Sequence, residues 1–191
     1  MSARSSVDRA PDYGSGCRGF KSSRAPQFFM PPTTDEGFML EALKEAQRAF
    51  DEDETPVGAI VVKDGDILAR AHNQREQLND PTAHAELIVI KAAAMKLNSW
   101  RLLDTTVYTT LEPCPMCAGA LVLARVKRLV FGAFDPKSGA AGTLMNLLSD
   151  ARLNHQVEVL GGVLEEESKS LLRHFFRLKR NRLSGEMREF G

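Results

Sequence analysis

His84 and Glu86 stand two residues apart, and Cys114 and Cys117 follow thirty residues downstream of the histidine, inside Pro113-Cys114-Pro115-Met116-Cys117. One imidazole and two thiols are a zinc-ligand set that leaves the fourth tetrahedral position open, whereas a structural zinc site closes with a fourth protein ligand. An acid two residues from the histidine is placed to handle the proton of a water in that open position. The third cysteine, Cys17, lies far upstream, and an odd thiol beside a C-x-x-C pair is a poor disulfide framework and a good metal half-site. Singly these residues say little: a lone histidine is usually an ordinary polar residue, and a C-x-x-C pair also serves redox chemistry or half of a structural zinc site. Their combination, in this order, is what carries information.

The elements around them must then make the four side chains converge. His84 to Leu97 reads as a helix, preceded by a polar stretch that ends in the helix-start signal Asp80-Pro81-Thr82. Cys114 to Arg125 reads as a second helix, with Pro115 in its first turn, where a missing N–H has no intrahelical partner to lose. Positions two apart do not share a helix face, so His84 and Glu86 reach one metal only if it lies beyond the helix end. Both helix N-termini then direct positive partial charge at the site, which favours thiolate over thiol. Glu112, at the end of the preceding strand, is expected to point elsewhere and to be structural.

Further elements follow from periodicity. Met39, Leu43, Ala46 and Phe50 recur at helical spacing from about 35 to 50. Val57 to Val62 and Ile67 to Ala71 read as strands joined by the hairpin turn Lys63-Asp64-Gly65-Asp66. Thr105 to Leu111, Arg128 to Phe134 and Gln156 to Leu160 read as three more strands, and about 165 to 184 as a last amphipathic helix. An opening hairpin followed by strands linked through helices predicts a three-layer α/β/α sandwich around a mixed five-stranded sheet.

At 191 residues the chain is one domain by size. Residues 1 to 33, rich in Ser, Gly, Pro and Arg, are expected to form a disordered extension, with Met30 as an alternative start; 34 to 184 form the folded domain and 185 to 191 a flexible tail. Formal net charge is zero, so no global field argues for an anionic partner. Locally, residues 35 to 54 hold eight acids against Lys44 and Arg48, while 173 to 191 hold six bases against Glu186 and Glu189. No apolar run is long enough to span a membrane, and no apolar leader segment precedes the domain, so a reducing cytoplasm is the expected compartment.

The arrangement H-x-E followed by P-C-x-x-C is the pattern of zinc-dependent nucleobase deaminases, the tRNA adenosine deaminases among them. Beyond that core the chain resembles the bacterial tRNA-specific adenosine deaminases from about residue 37 to 182. The likeness is carried by Pro56-Val57-Gly58-Ala59, Asn73, Asp80 to Glu86, Leu111 to Ala120, Phe131-Gly132-Ala133, Asp135 to Gly142, Leu153-Asn154-His155 and Arg173 to Arg177. The resemblance implies a cytidine-deaminase-like fold. It also implies hydrolytic conversion of the wobble adenosine (position 34) of a tRNA to inosine, most simply in the arginine tRNA with anticodon ACG. One zinc per subunit would be held by His84, Cys114 and Cys117, with Glu86 as the proton shuttle. Asn73 would hydrogen-bond the target nucleoside, and Val57 and Leu111 would wall its pocket. Asp135, Lys137 and Ser138 would meet neighbouring nucleotides, and Phe176 and Arg177 the anticodon stem-loop, with Lys179 and Arg180 beside them. The family acts as a homodimer. Guanine and other small-purine deaminases share the zinc pattern and remain the competing reading.

Overall fold

The computed structural model describes residues 33–189, with side chains through Arg182. The expected extension, Thr33 apart, lies outside the described residues, as does Cys17. Ten elements follow one another: α1 (Asp35–Asp51), β1 (Gly58–Lys63), β2 (Asp66–His72), α2 (Arg75–Leu78), α3 (Ala85–Leu97), β3 (Thr105–Leu111), α4 (Pro115–Leu123), β4 (Arg128–Ala133), β5 (Glu158–Gly161) and α5 (Glu165–Glu189).

The five strands form one sheet in the order β2-β1-β3-β4-β5. β1 pairs antiparallel with β2 and β3, and β3, β4 and β5 run parallel, so the sheet is mixed as predicted. Asp64 (φ 52°) and Gly65 (φ 83°) both take left-handed backbone between the paired residues Lys63 and Asp66. That is the geometry a two-residue hairpin needs to match strand twist.

Side-chain alternation divides the core in two. Ala59 and Val61 of β1, Val107 of β3, and Leu129 and Phe131 of β4 join Val89 of α3 and Leu121 of α4 on one face. Ile60, Val62, Tyr108 and Val130 pack with Phe38, Met39 and Ala42 of α1 on the other. The central strands are buried on both faces, which is why they read as continuous apolar runs. Gly58 marks where α1 crosses β1 most closely: a β-carbon there would lie 2.1 Å from the Ala42 carbonyl oxygen. α1 is fastened at its start by Asp35, which accepts from both terminal nitrogens of Arg128 (2.8 and 2.9 Å) and from the Tyr108 hydroxyl (2.8 Å).

The long connection between the parallel neighbours β4 and β5 carries no helix. Two local departures have physical causes. The polar stretch before α3 contains a short helix, α2, ended by Asn79 in left-handed backbone. Four exposed residues have no apolar periodicity to betray them. α5 continues to Glu189, past the expected end near 184. Gly185 costs a helix about 1 kcal/mol relative to Ala, but without a following proline it does not stop one. No helix among the described residues is long and apolar enough to cross a membrane.

Candidate metal centre and active site

The site forms at the carboxyl end of β3, beside the place where the sheet changes from antiparallel to parallel pairing. Such a switch point opens a crevice at the strand ends of α/β sheets. His84 and Cys114 occupy the same local position in two helices: each is the N-cap, with extended backbone (ψ 147° and 171°) and no side-chain capping bond. A cap residue that leaves its side chain free can turn it beyond the helix end. Pro115 is the first residue of α4, and Cys117 lies two further on, fully buried.

The result is a tight triangle. Cys114 Sγ lies 3.6 Å from Cys117 Sγ and 3.7 Å from His84 Nδ1, and Cys117 Sγ lies 3.5 Å from the same nitrogen. Tetrahedral zinc bonds of about 2.3 Å to sulfur and about 2.0–2.1 Å to nitrogen require separations of about 3.8 Å between sulfurs and about 3.6 Å between sulfur and nitrogen. The three donors therefore fit zinc in number, type and spacing, and they are the group among the described residues able to hold a metal.

Electrostatics in the triangle follow from packing. The Cys114 thiol is pulled down to about 4 by hydrogen bonding from Cys117, with His84 adding to the effect. Cys117 is pushed well above the ordinary thiol range, by its contact with Cys114 and by burial. His84 is raised by its contact with Cys114. Glu86 sits against Cys117 at 4% exposure, and burial pushes its carboxyl up to about 7. A buried carboxyl poised near neutrality can both take and return a proton.

The remaining predicted residues fall into three groups. Asn73 is buried at the end of β2; its backbone N–H donates to the Val57 carbonyl (3.0 Å), and the next residue bonds Ala83 (3.0 Å), which brings this segment alongside His84. Val57 packs in the same core cluster as Ala85, and Leu111 lies partly buried against that cluster. Asp135 and Ser138 bond each other, and Asp135 Oδ1 also accepts from the Lys137 backbone N–H (2.8 Å), so two of the three loop residues spend polar groups on the turn itself. The Lys137 side chain is exposed. On α5, Phe176 and Arg177 are exposed, while Lys179 and Arg182 bond Asp53 at 2.6 and 3.1 Å. The basic tail is thus partly neutralised by Asp53, just past the end of α1.

Two buried acids carry more structure than the sequence suggested. Glu112 accepts from the backbone N–H groups of Asp135, Ala141 and Thr143, each at 3.0 Å, and from the Thr143 hydroxyl. It is the hub of the 135–143 loop. Glu54, unnoticed within its acidic run, is fully buried and bonds Asn73 and the backbone of Gln77. Glu112 is structural, as its place at the strand end led one to expect, whereas nothing in residue type or spacing separates Glu54 from an ordinary surface glutamate.

Comparison with known proteins follows the same lines. The MafB19-like deaminase family matches residues 33–180. A tRNA-specific adenosine deaminase of Bacillus subtilis is 58% identical over 145 residues, covering 76% of this chain and 90% of that protein. A solved structure from work on A-to-I editing by tRNA:A34 deaminases is 45% identical with a TM-score of 0.69, covering 71% of this chain and 98% of the other. A guanine deaminase from Bacillus subtilis is 39% identical with a TM-score of 0.53, over 58% of this chain and 71% of its own. Fold, ligand triangle and whole-domain identity converge, and the chain belongs to the tRNA-specific adenosine deaminases within the MafB19-like deaminase family.

Proposed function

We propose that this protein hydrolyses the wobble adenosine of a tRNA to inosine, releasing ammonia, with the arginine tRNA of anticodon ACG as its main substrate. The observation that carries the reading is the donor triangle with Glu86 buried against it, in a chain 58% identical to a tRNA-specific adenosine deaminase. A zinc ion held by His84, Cys114 and Cys117 would supply an acidified water as nucleophile. Glu86 would take one proton of the attacking water and deliver it to N1 of the purine as the water oxygen bonds to C6. Ionised again, the same carboxylate would take the proton of the new C6 hydroxyl and pass it to the 6-amino group, which leaves as ammonia while the C6 carbonyl of inosine forms. One residue serves as base and then acid because burial holds it near neutrality.

Asn73 would hold the nucleoside, with Val57 and Leu111 as apolar walls. The loop from Asp135 to Ser138 would border the neighbouring nucleotides, with Lys137 as its cationic contact. Phe176 and Arg177 would grip the stem-loop through base stacking and phosphate contact, the usual means of holding unpaired RNA. A loop nucleotide is already free of pairing, which spares the enzyme the cost of extruding a base from a duplex. The active form would be a homodimer working in the cytoplasm, where tRNA is decoded.

The test incubates zinc-loaded protein and Glu86→Ala with an ACG anticodon stem-loop, and in parallel with free adenosine, adenine and guanine. Inosine at position 34 from the wild type alone is the expected result. Turnover of guanine with no inosine in RNA would replace this reading with purine salvage, to which the likeness to a guanine deaminase points.

A further inference from the structure

Glu54 is an acid with no solvent exposure, outside the donor triangle and in no ion pair among the described residues. Burying a carboxylate is costly unless its oxygens are satisfied by donors. Glu54 Oε2 accepts from Asn73 Nδ2 at 3.1 Å, and Oε1 accepts from the Gln77 backbone N–H at 2.8 Å. The Glu54 backbone is itself pinned, its N–H donating to the Ala49 carbonyl at the end of α1 (2.8 Å).

A carboxylate only accepts, whereas a primary amide presents nitrogen on one side and oxygen on the other. Glu54 therefore selects the orientation of the Asn73 amide: nitrogen inward, Oδ1 outward. Among the described residues, the buried side-chain polar atoms without a partner are Thr109 Oγ1 and Ser168 Oγ, so Asn73 Oδ1, which no protein donor there bonds, is not sealed in the interior. The Asn73 backbone is held to Val57 and its neighbour to Ala83, so the residue has no freedom except this flip.

We propose that Glu54 is a positioning residue for the nucleoside pocket. By fixing the Asn73 amide it presents an acceptor, Oδ1, and the second Nδ2–H as a matched pair to a ribose hydroxyl and a purine ring nitrogen. Through Gln77 the same carboxylate sets α2 against this pocket. The inference rests on the reading of Asn73 as the nucleoside-binding residue.

The experiment is a double-mutant cycle on the zinc-loaded full chain: Glu54→Gln, Asn73→Ala and the double variant, each measured for kcat and KM on the ACG stem-loop, zinc content and Tm. The Glu54→Gln change brings a second amide N–H₂ against that of Asn73, and the Asn73 amide escapes by flipping. Glu54→Gln is expected to lower kcat/KM by roughly tenfold to a hundredfold in the same kinetic parameter that Asn73→Ala lowers, with zinc unchanged. The double variant should be no worse than Asn73→Ala, because Glu54 has nothing to act through once the amide is gone. Full activity in Glu54→Gln, or losses that multiply, would overturn the role of Glu54 and leave Asn73 standing. An unimpaired Asn73→Ala would remove the reading beneath it. If Glu54→Gln does not fold, Glu54→Asp, which keeps the charge but shortens its reach, goes through the same cycle: coupling to Asn73 supports the role and independence refutes it.

Discussion

Gly139 packs so closely on Glu112 that a β-carbon on the glycine would lie 2.3 Å from the carboxylate oxygen Oε2. The contact exists because Glu112 has to reach three backbone N–H groups spread from Asp135 to Thr143. Gly139→Ala must push either the loop or the carboxylate aside, a change expected to cost about 1–3 kcal/mol as overpacking. Glu112→Ala leaves those donors buried without an acceptor and should cost about 3 kcal/mol or more. Urea unfolding checks both values. Both variants should also weaken stem-loop binding while retaining zinc, since the loop and not the triangle is disturbed.

The burial that makes Glu86 useful also makes it a liability. Below about pH 4.5 folded and unfolded chains both carry its proton, and it costs the fold nothing. As pH rises toward 7 the unfolded chain releases the proton and the folded chain keeps it, so stability falls; above 7 the full penalty is present. From an ordinary value of 4.5 to about 7 the penalty is of order 3 kcal/mol. In chelator-treated protein Glu86→Gln should therefore be more stable than wild type at pH 8 and equal to it near pH 4. Equal unfolding midpoints at both pH values would show that Glu86 carries no such strain.

The donor spacing predicts one zinc per chain by elemental analysis. His84→Ala or Cys114→Ser should lose most of it, and Glu86→Gln should keep it, because Glu86 is not among the donors. Cobalt in place of zinc should give thiolate-to-metal charge-transfer absorption that disappears in Cys114→Ser. Free zinc at a hundredfold excess over its dissociation constant should stabilise the fold by about 2.7 kcal/mol. Retention of full metal in either ligand variant would place the ion elsewhere.

Much of this was readable before any coordinates. His84 and Cys114 were legible as helix starts because capping, proline placement and ligand spacing are local properties, and the unbroken apolar run Val57 to Val62 was legible as a strand, which the fold buries on both faces. What escaped depends on partners distant in the chain. Glu54 differs from a surface acid only through contacts with residues 19 and 23 positions away, and Glu112, expected to be structural, shows which loop it holds only through partners 23 to 31 positions away. The acidic run near 50 and the basic run near 180 stood apart in the sequence, the basic one expected to meet RNA, yet Asp53 meets Lys179 and Arg182 across more than a hundred residues. Part of the predicted RNA-facing charge is thereby already engaged within the fold.

Phe175 and Phe176 are adjacent in sequence and opposite in situation, which turns them into a clean probe of α5. Phe175 is 5% exposed, edge-on to Phe50 with ring centroids 5.8 Å apart, whereas Phe176 is 45% exposed. Adjacent helix positions point about 100° apart, so one faces α1 and the other solvent. Phe175→Ala should open a cavity where α5 meets α1 and cost about 3–5 kcal/mol of stability. Phe176→Ala should leave the unfolding midpoint nearly unchanged and remove one stacking platform, worth about 1–3 kcal/mol, or roughly 5- to 150-fold in Kd for the stem-loop. Filter binding at fixed salt, with urea melts on the same preparations, separates the two effects. A Phe176→Ala variant that binds stem-loop as tightly as wild type would mean that α5 holds RNA through its cations alone. The burden would then fall on Arg177, since Lys179 must first leave Asp53 before it can meet a phosphate.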